Sequence, residues 1–277
     1  MYKDLKRVSL FFFILFFLSL GSETPSAAGL PPFRIVIDPG HGGRDEGATY
    51  KKGSLLVREK DMTLKIAQEV QSILLKQGYA VTLTRNEDRE LSLPARTALA
   101  NQLKAQLFIS IHMNQSLNDQ AEGIETFIMN HTSDASSRRL ARLENSVLSP
   151  ADQSQYASSD VALILKDLRL DSNLGESKRL ACLVQNKLVT ATSQRLEFKK
   201  RDRGVKEGLF YVLLGADMPS VLVEAGFLNH RWDRALVLSH SGQHLIGEAI
   251  SQAVDTFART QKKNTFALSH FQNCNIK

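Results

Sequence analysis

The sequence predicts an α/β fold: a mostly parallel twisted sheet with helices on both faces and a helical insertion near the active site. Three observations lead there. Short β-branched runs alternate with stretches of helical periodicity from Arg34 onward. Two of the runs, Ile35–Ile37 and Leu107–Ile111, are apolar but for Ser110, as strands covered on both faces are. Between Asn130 and Arg203 the alternation gives way to helical spacing and polar connections.

The 277 residues, 43% hydrophobic and 23% charged, can bury one domain core and are not the composition of a disordered chain. Lys3, Lys6 and Arg7 precede an apolar run, Val8–Leu20, that is short for a bilayer span. With small residues at Ser26 and Ala28, residues 1–28 read as a signal peptide, an uncleaved anchor being the alternative. A short linker, 29–33, a domain over 34–260 and a polar tail, 261–277, complete the organisation. The chain is exported on this reading, to the periplasm or cell envelope. The net charge of +6, or +5 without residues 1–28, favours anionic envelope polymers or lipid headgroups, and outside the cytoplasm nucleic acid is not an expected partner. Cys182 and Cys274 make no disulfide framework and pair only if the tail packs back.

Taken in order, Ile35–Ile37 is a buried strand that stops at Asp38-Pro39-Gly40 and delivers His41 between glycines. Tyr50–Leu56 is a polar, glycine-containing connection. Met62, Ile66, Ala67, Val70, Ile73 and Leu74 share a helical face, with Glu59 in the first turn, where the helix dipole alone would favour a carboxylate. Gly78 caps that helix, and Tyr79–Thr84 is the next strand. Leu93–Leu103 is a helix with an early Pro94; Leu107–Ile111 then ends at a second histidine, His112. Gly123–Met129 is a further strand. In the insertion, 130–203, helices are expected over Ala135–Leu148, Val161–Leu168 and Asn173–Leu196, and Lys199–Arg203 is a solvated turn. Leu209–Leu214 and Val221–Val223 restore strands, the latter running into Glu224, and Leu236–Phe257 is a terminal helix.

His41, Glu59, His112 and Glu224 all leave strand ends or open helices, and the carboxyl ends of parallel strands share one rim. Two imidazoles and a carboxylate form a ligand set for catalytic zinc, with a separate carboxylate needed to move a proton. A rival set, His240, His244 and Glu248, has i, i+4, i+8 spacing, but Ser241-Gly242 places the helix start after His240. His131, His230 and His270 carry no role. There is no HExxH, and no Ser-x-x-Lys paired with Lys-Thr-Gly.

IVIDPGHGGRDEGA, REKDMTLKIA, LTRNEDRELSLPARTALAN, LFISIHMNQS, GIETF and MPSVLVEAGFLNH occur in order between Arg34 and Phe257. Together they resemble the zinc-dependent N-acetylmuramoyl-L-alanine amidases of the bacterial cell wall. The resemblance implies one zinc ion held by His41, Glu59 and His112, with Glu224 as general base and acid. The substrate it implies is peptidoglycan or its lipid-linked precursor, cut between the lactyl group and L-alanine during remodelling or daughter-cell separation. Glu46, where the family usually has proline, and Asn229-His230, in place of Ser-Asn, are departures. The insertion resembles the helical segment that covers the zinc in cell-division members until an activator protein displaces it. Glu144 stands in the comparable place and is expected to fill the open zinc position; a solvent-facing glutamate is the alternative. A zinc peptidase cutting within the stem peptide and a non-catalytic wall-binding regulator are the competing classes.

Overall fold

The computed structural model describes residues 32–118, 120–147, 160–193, 202–263 and 274. Residues 1–28, expected to be a signal peptide, lie outside the described residues, as do most of the linker and of the tail. Eight strands and seven helices are described: β1 (Arg34–Pro39), β2 (Thr49–Lys52), β3 (Leu55–Arg58), α1 (Glu59–Lys76), β4 (Ala80–Leu83), α2 (Leu93–Gln102), β5 (Leu107–Asn114), β6 (Ile124–Met129), α3 (Ala135–Glu144), α4 (Asp160–Ser193), β7 (Asp202–Gly208), α5 (Tyr211–Leu214), β8 (Ser220–Phe227), α6 (Arg231–Leu238) and α7 (His240–Lys263). A 3₁₀ turn, Asn145–Val147, extends α3.

The main sheet has six strands in the order β4-β1-β5-β8-β6-β7. Every neighbouring pair is parallel except β6–β8. Alternation along each strand sends residues to two layers. Ile35, Ile37, Ile109, Ile111, Val221 and Val223 face α1, α4 and α7, whereas Val36, Phe108, Phe127 and Leu222 face α2, α3 and α5. The expected insertion is therefore divided between layers: Leu140 and Ala141 of α3 pack on one side, and Leu180, Val184 and Leu188 of α4 on the other.

Several local expectations are corrected. Leu209–Leu214 is not a strand but a loop and the single turn α5, whose Val212 and Leu213 bury against the sheet. The returning strand is β7, at Asp202–Gly208. Its glycines and charges hide a strand pattern, yet Lys206 and Arg203 both reach the buried Glu125 on β6, at 2.6 and 2.9 Å. Arg203 is thus not part of a solvated turn, and 202–203 leave the insertion. The polar connection at Tyr50–Leu56 is the hairpin β2–β3. The two helices expected at Val161–Leu168 and Asn173–Leu196 form one, α4. The terminal helix begins at His240 and follows a separate α6, because Ser239 caps the next turn through its hydroxyl to the Gly242 amide, 3.0 Å. Its last turn reaches Lys263, three residues into the expected tail. That tail does pack back: Cys274 is disulfide-bonded to Cys182 of α4 across 92 residues.

Candidate metal centre

The side chains of the centre are delivered by strand ends (His41 after β1, His112 on β5), by the start of α1 (Glu59) and by the C-terminal end of α3 (Glu144). β1 breaks at Pro39, and His41 takes a left-handed conformation (φ 60°) that swings its imidazole over the strand ends. Gly40 has to be glycine because a Cβ there would lie 2.5 Å from the His112 ring. Gly47 is equally constrained, 2.6 Å from both Glu59 Oε2 and the His41 ring, at φ +64°. The first turn of α1 is tied down by its own free amides, Glu59 N donating to Ala48 O (2.8 Å) and Lys60 N to Glu46 O (3.3 Å). Glu59 Oε2 in turn accepts from Ala48 N and Oε1 from Met113 N, at 2.7 and 2.9 Å.

Four groups converge. Glu59 Oε1 lies 3.0 Å from His41 Nε2 and 3.1 Å from His112 Nδ1, and Glu144 Oε2 lies 3.4 and 3.1 Å from the same two nitrogens. Donors held at about 2.0–2.1 Å by a tetrahedral zinc stand roughly 3.3 Å apart, so these separations fit such an ion. His41 Nε2 is buried without a well-directed hydrogen bond, although two carboxylates are near it. Its other nitrogen is committed, Nδ1 to Asp45 Oδ2 at 2.8 Å, which leaves Nε2 free to take an ion. The chemistry of the donor set and the orphaned nitrogen both suit zinc.

The electrostatics of the metal-free site follow. Burial opposes protonation of both histidines, but the carboxylates of Glu59 and Glu144 outweigh it, lifting His41 well above its usual range and His112 to about 10. Burial likewise opposes ionisation of Glu59 and Glu144, and the facing imidazoles overcome it, lowering both.

Glu224 is aligned with His112 across β5–β8, and with Glu125 across β8–β6. The three side chains form one row on the site face. Glu224 is fully buried, and among the described residues neither of its carboxylate oxygens has a hydrogen-bond partner. Burial first, then the nearby carboxylates, raise its pKa well above normal against the pull of His112. A carboxylate so placed costs several kcal/mol of desolvation unless a ligand uses it.

Cavities of about 160 and 210 Å³ flank Glu144, sharing His41, Asp45, Glu144 and Val147 in their walls. The C-terminal end of α3 therefore divides one groove over the two imidazoles. His240, His244 and Glu248 lie elsewhere, on α7, and His244 instead pairs with Glu69 of α1 at 3.0 Å and with Glu248 at 3.6 Å. His270 is outside the described residues. Asp45 and Glu125 escaped the sequence reading; Asp45 lies four residues after His41 inside the first motif, which is the signal that could have found it.

Residues 35–256 match the sequence profile of the N-acetylmuramoyl-L-alanine amidases. The chain belongs to this family. Among curated amidases it is 32% identical over 228 residues to AmiC of Neisseria meningitidis serogroup B, covering 82% of this chain and 53% of that protein. To AmiA of Escherichia coli K12 it is 31% identical over 227 residues, covering 80% and 75%. The chain spans about half the length of some of these relatives, AmiC of Neisseria at 53% and AmiC of Escherichia coli O6:H1 at 55%. The crystal structure of the amidase from Clostridium difficile 630 aligns with a TM-score of 0.62 at 30% identity, covering 83% of this chain and 98% of that one.

Proposed function

We propose that this chain hydrolyses the amide bond between the lactyl group of N-acetylmuramic acid and L-alanine in peptidoglycan. The observation that carries the reading is Glu224, buried with two unpartnered oxygens, in the same row as His112. His41, Glu59 and His112 would hold one zinc ion. Zinc bound there supplies Lewis acidity, polarising a carbonyl oxygen and acidifying a water molecule. Glu224 accepts the proton of the attacking water and passes it to the amide nitrogen as the C–N bond breaks, so no covalent enzyme intermediate forms. Asp45 keeps the proton of His41 on Nδ1 throughout.

Glu144 serves a resting state on this reading. Its carboxylate competes for the open position, and Leu140 and Ala141 anchor α3 to the same layer. An activator protein that lifts α3 would free both cavities as one groove. Export fits the Cys182–Cys274 disulfide, which persists only in an oxidising compartment. No helix among the described residues is long and apolar enough to cross a membrane. Peptidoglycan turnover during daughter-cell separation is the role this implies. The test is product mass: an amidase releases intact peptides beginning at L-alanine, whereas a zinc peptidase releases fragments cut within the stem and a regulator releases nothing.

A further inference from the structure

Three ligand-bearing segments meet at Gly40. Its amide donates to Ile111 O of β5 at 2.9 Å, next to His112, and it directly precedes His41. Its carbonyl accepts from Arg85 Nη2 at 2.7 Å and from Thr63 Oγ1 at 3.0 Å. The same Arg85 Nη2 donates to Lys60 O at 2.8 Å, in the turn of α1 that carries Glu59. Arg85 Nε holds Pro39 O at 3.0 Å. From the other side, Arg96 Nη1 donates to Pro39 O and Nη2 to His41 O, both at 2.8 Å. Three successive carbonyls, Pro39, Gly40 and His41, thus all accept from two guanidiniums that are 1% and 2% exposed.

Fold stability alone does not explain this arrangement. Asp38 pairs with Arg96 at 2.8 Å and is itself held by Thr84 and Ser110, at 2.5 and 2.7 Å. Among the described residues no carboxylate forms an ion pair with Arg85; Asp38, Asp88 and Asp61 support its charge from farther away, and burial lowers its pKa to about 10. Burying a cation that no carboxylate meets directly destabilises a fold, and apolar side chains would fill the space at less cost. What the two arginines do fix is a turn whose central histidine sits in a left-handed conformation that L-residues disfavour.

We propose that Arg85 and Arg96 are positioning residues that hold the Pro39–His41 turn in its metal-receiving shape before any ion arrives. The proposal rests on the reading of His41, Glu59 and His112 as zinc ligands. A lysine at either position keeps the buried charge but can reach one or two of the carbonyls from a point, not from a planar fork. Loss of the fork loosens His41 relative to His112 and Glu59, and so weakens metal binding without removing a ligand.

The experiment measures zinc affinity, by competition with a chelating indicator, and the visible absorption spectrum of the cobalt(II) form. Wild type, Arg85→Lys, Arg96→Lys, Thr63→Val and Val254→Ala are compared as full mature chains. Val254 is buried on α7 in the opposite layer and controls for general destabilisation. Both lysine variants are expected to bind zinc on the order of 10–100-fold more weakly and to show an altered cobalt spectrum. Val254→Ala should melt earlier yet keep both properties. If the lysine variants fail to fold, Thr63→Val, which removes one hydroxyl from Gly40 O, carries the test with a severalfold loss. Folded variants with wild-type affinity and spectrum overturn the clamp and leave the zinc reading standing. Wild type that binds no zinc overturns both.

Discussion

Replacing Glu144 with alanine isolates the resting-state contact. The Glu144 carboxylate makes two charge-assisted contacts, 3.1 Å to His112 Nδ1 and 3.4 Å to His41 Nε2, and is 14% exposed. A hydrogen bond to a charged group contributes about 1.5–3 kcal/mol, and the longer of these two counts at the low end. With zinc bound the carboxylate would face the ion in place of the protonated imidazoles; taking the same range for that contact, its loss weakens the closed arrangement of α3 by about 2–4 kcal/mol, since Leu140, Ala141 and the Asn145 contacts to Leu209 O (2.7 Å) and Tyr211 N (2.9 Å) remain. At 1.4 kcal/mol per tenfold, the closed-to-open ratio falls by roughly 30- to 1000-fold, with the observed gain capped by the fraction closed in wild type. Initial rates of soluble product release from purified peptidoglycan, without any activator, should therefore rise at least about tenfold in Glu144→Ala. Zinc content should be unchanged, and Glu144→Gln should give a smaller gain because its amide oxygen can still reach the open position as a neutral, weaker donor. A zinc-loaded, folded Glu144→Ala no more active than wild type would refute the resting-state role.

Four further outcomes are expected. Glu224→Gln should lower kcat by about 10²–10⁴-fold. It should also raise the melting temperature of the metal-free protein above pH 4.5, where the buried acid, with its raised pKa, otherwise loses stability as the unfolded chain ionises. His112, raised to about 10 in the metal-free fold, stabilises it fully below its usual 6.5 and loses that contribution as pH rises through 10. Melting of the apo form should accordingly fall across that window while zinc affinity climbs, because each ion displaces protons; titration calorimetry in two buffers reads the proton count. Gly40→Ala should abolish zinc binding, since the new methyl lies 2.5 Å from the His112 ring. Cys274→Ser removes a link spanning 92 residues. Chain entropy values such a link at up to about 4.6 kcal/mol, so the melting temperature should drop by on the order of 10 °C, as it should for wild type under reductant.

How much of this the sequence revealed depends on which force sets each element. β1, β5 and β8 are buried on both faces, so their composition is nearly pure β-branched and aliphatic, and the polar residues that end them stand out. His41, His112 and Glu224 were legible for that reason, and Glu59 for its place before a regular apolar stripe. β7 was not, because an edge strand needs only one partner, and its Lys206 and Arg203 are stabilised by Glu125 rather than by an apolar core. The turn at Tyr211–Leu214 is four apolar residues long, and at that length periodicity cannot separate a strand from a helix. The family pattern alone points to Glu144; only the fold shows that its carboxylate reaches both histidines. Arg85 and Arg96 lie inside quoted motifs, yet nothing in the sequence says that their partners are backbone carbonyls more than forty residues away.

Mass spectrometry of the soluble products from peptidoglycan incubated with the mature chain tests the central claim most directly. Parallel incubations contain zinc, a chelator, and Glu224→Gln. The expected result is release of peptides that begin at L-alanine, dependent on both zinc and Glu224 and increased by Glu144→Ala. Peptides cut within the stem, or release that survives the chelator and Glu224→Gln, would contradict it.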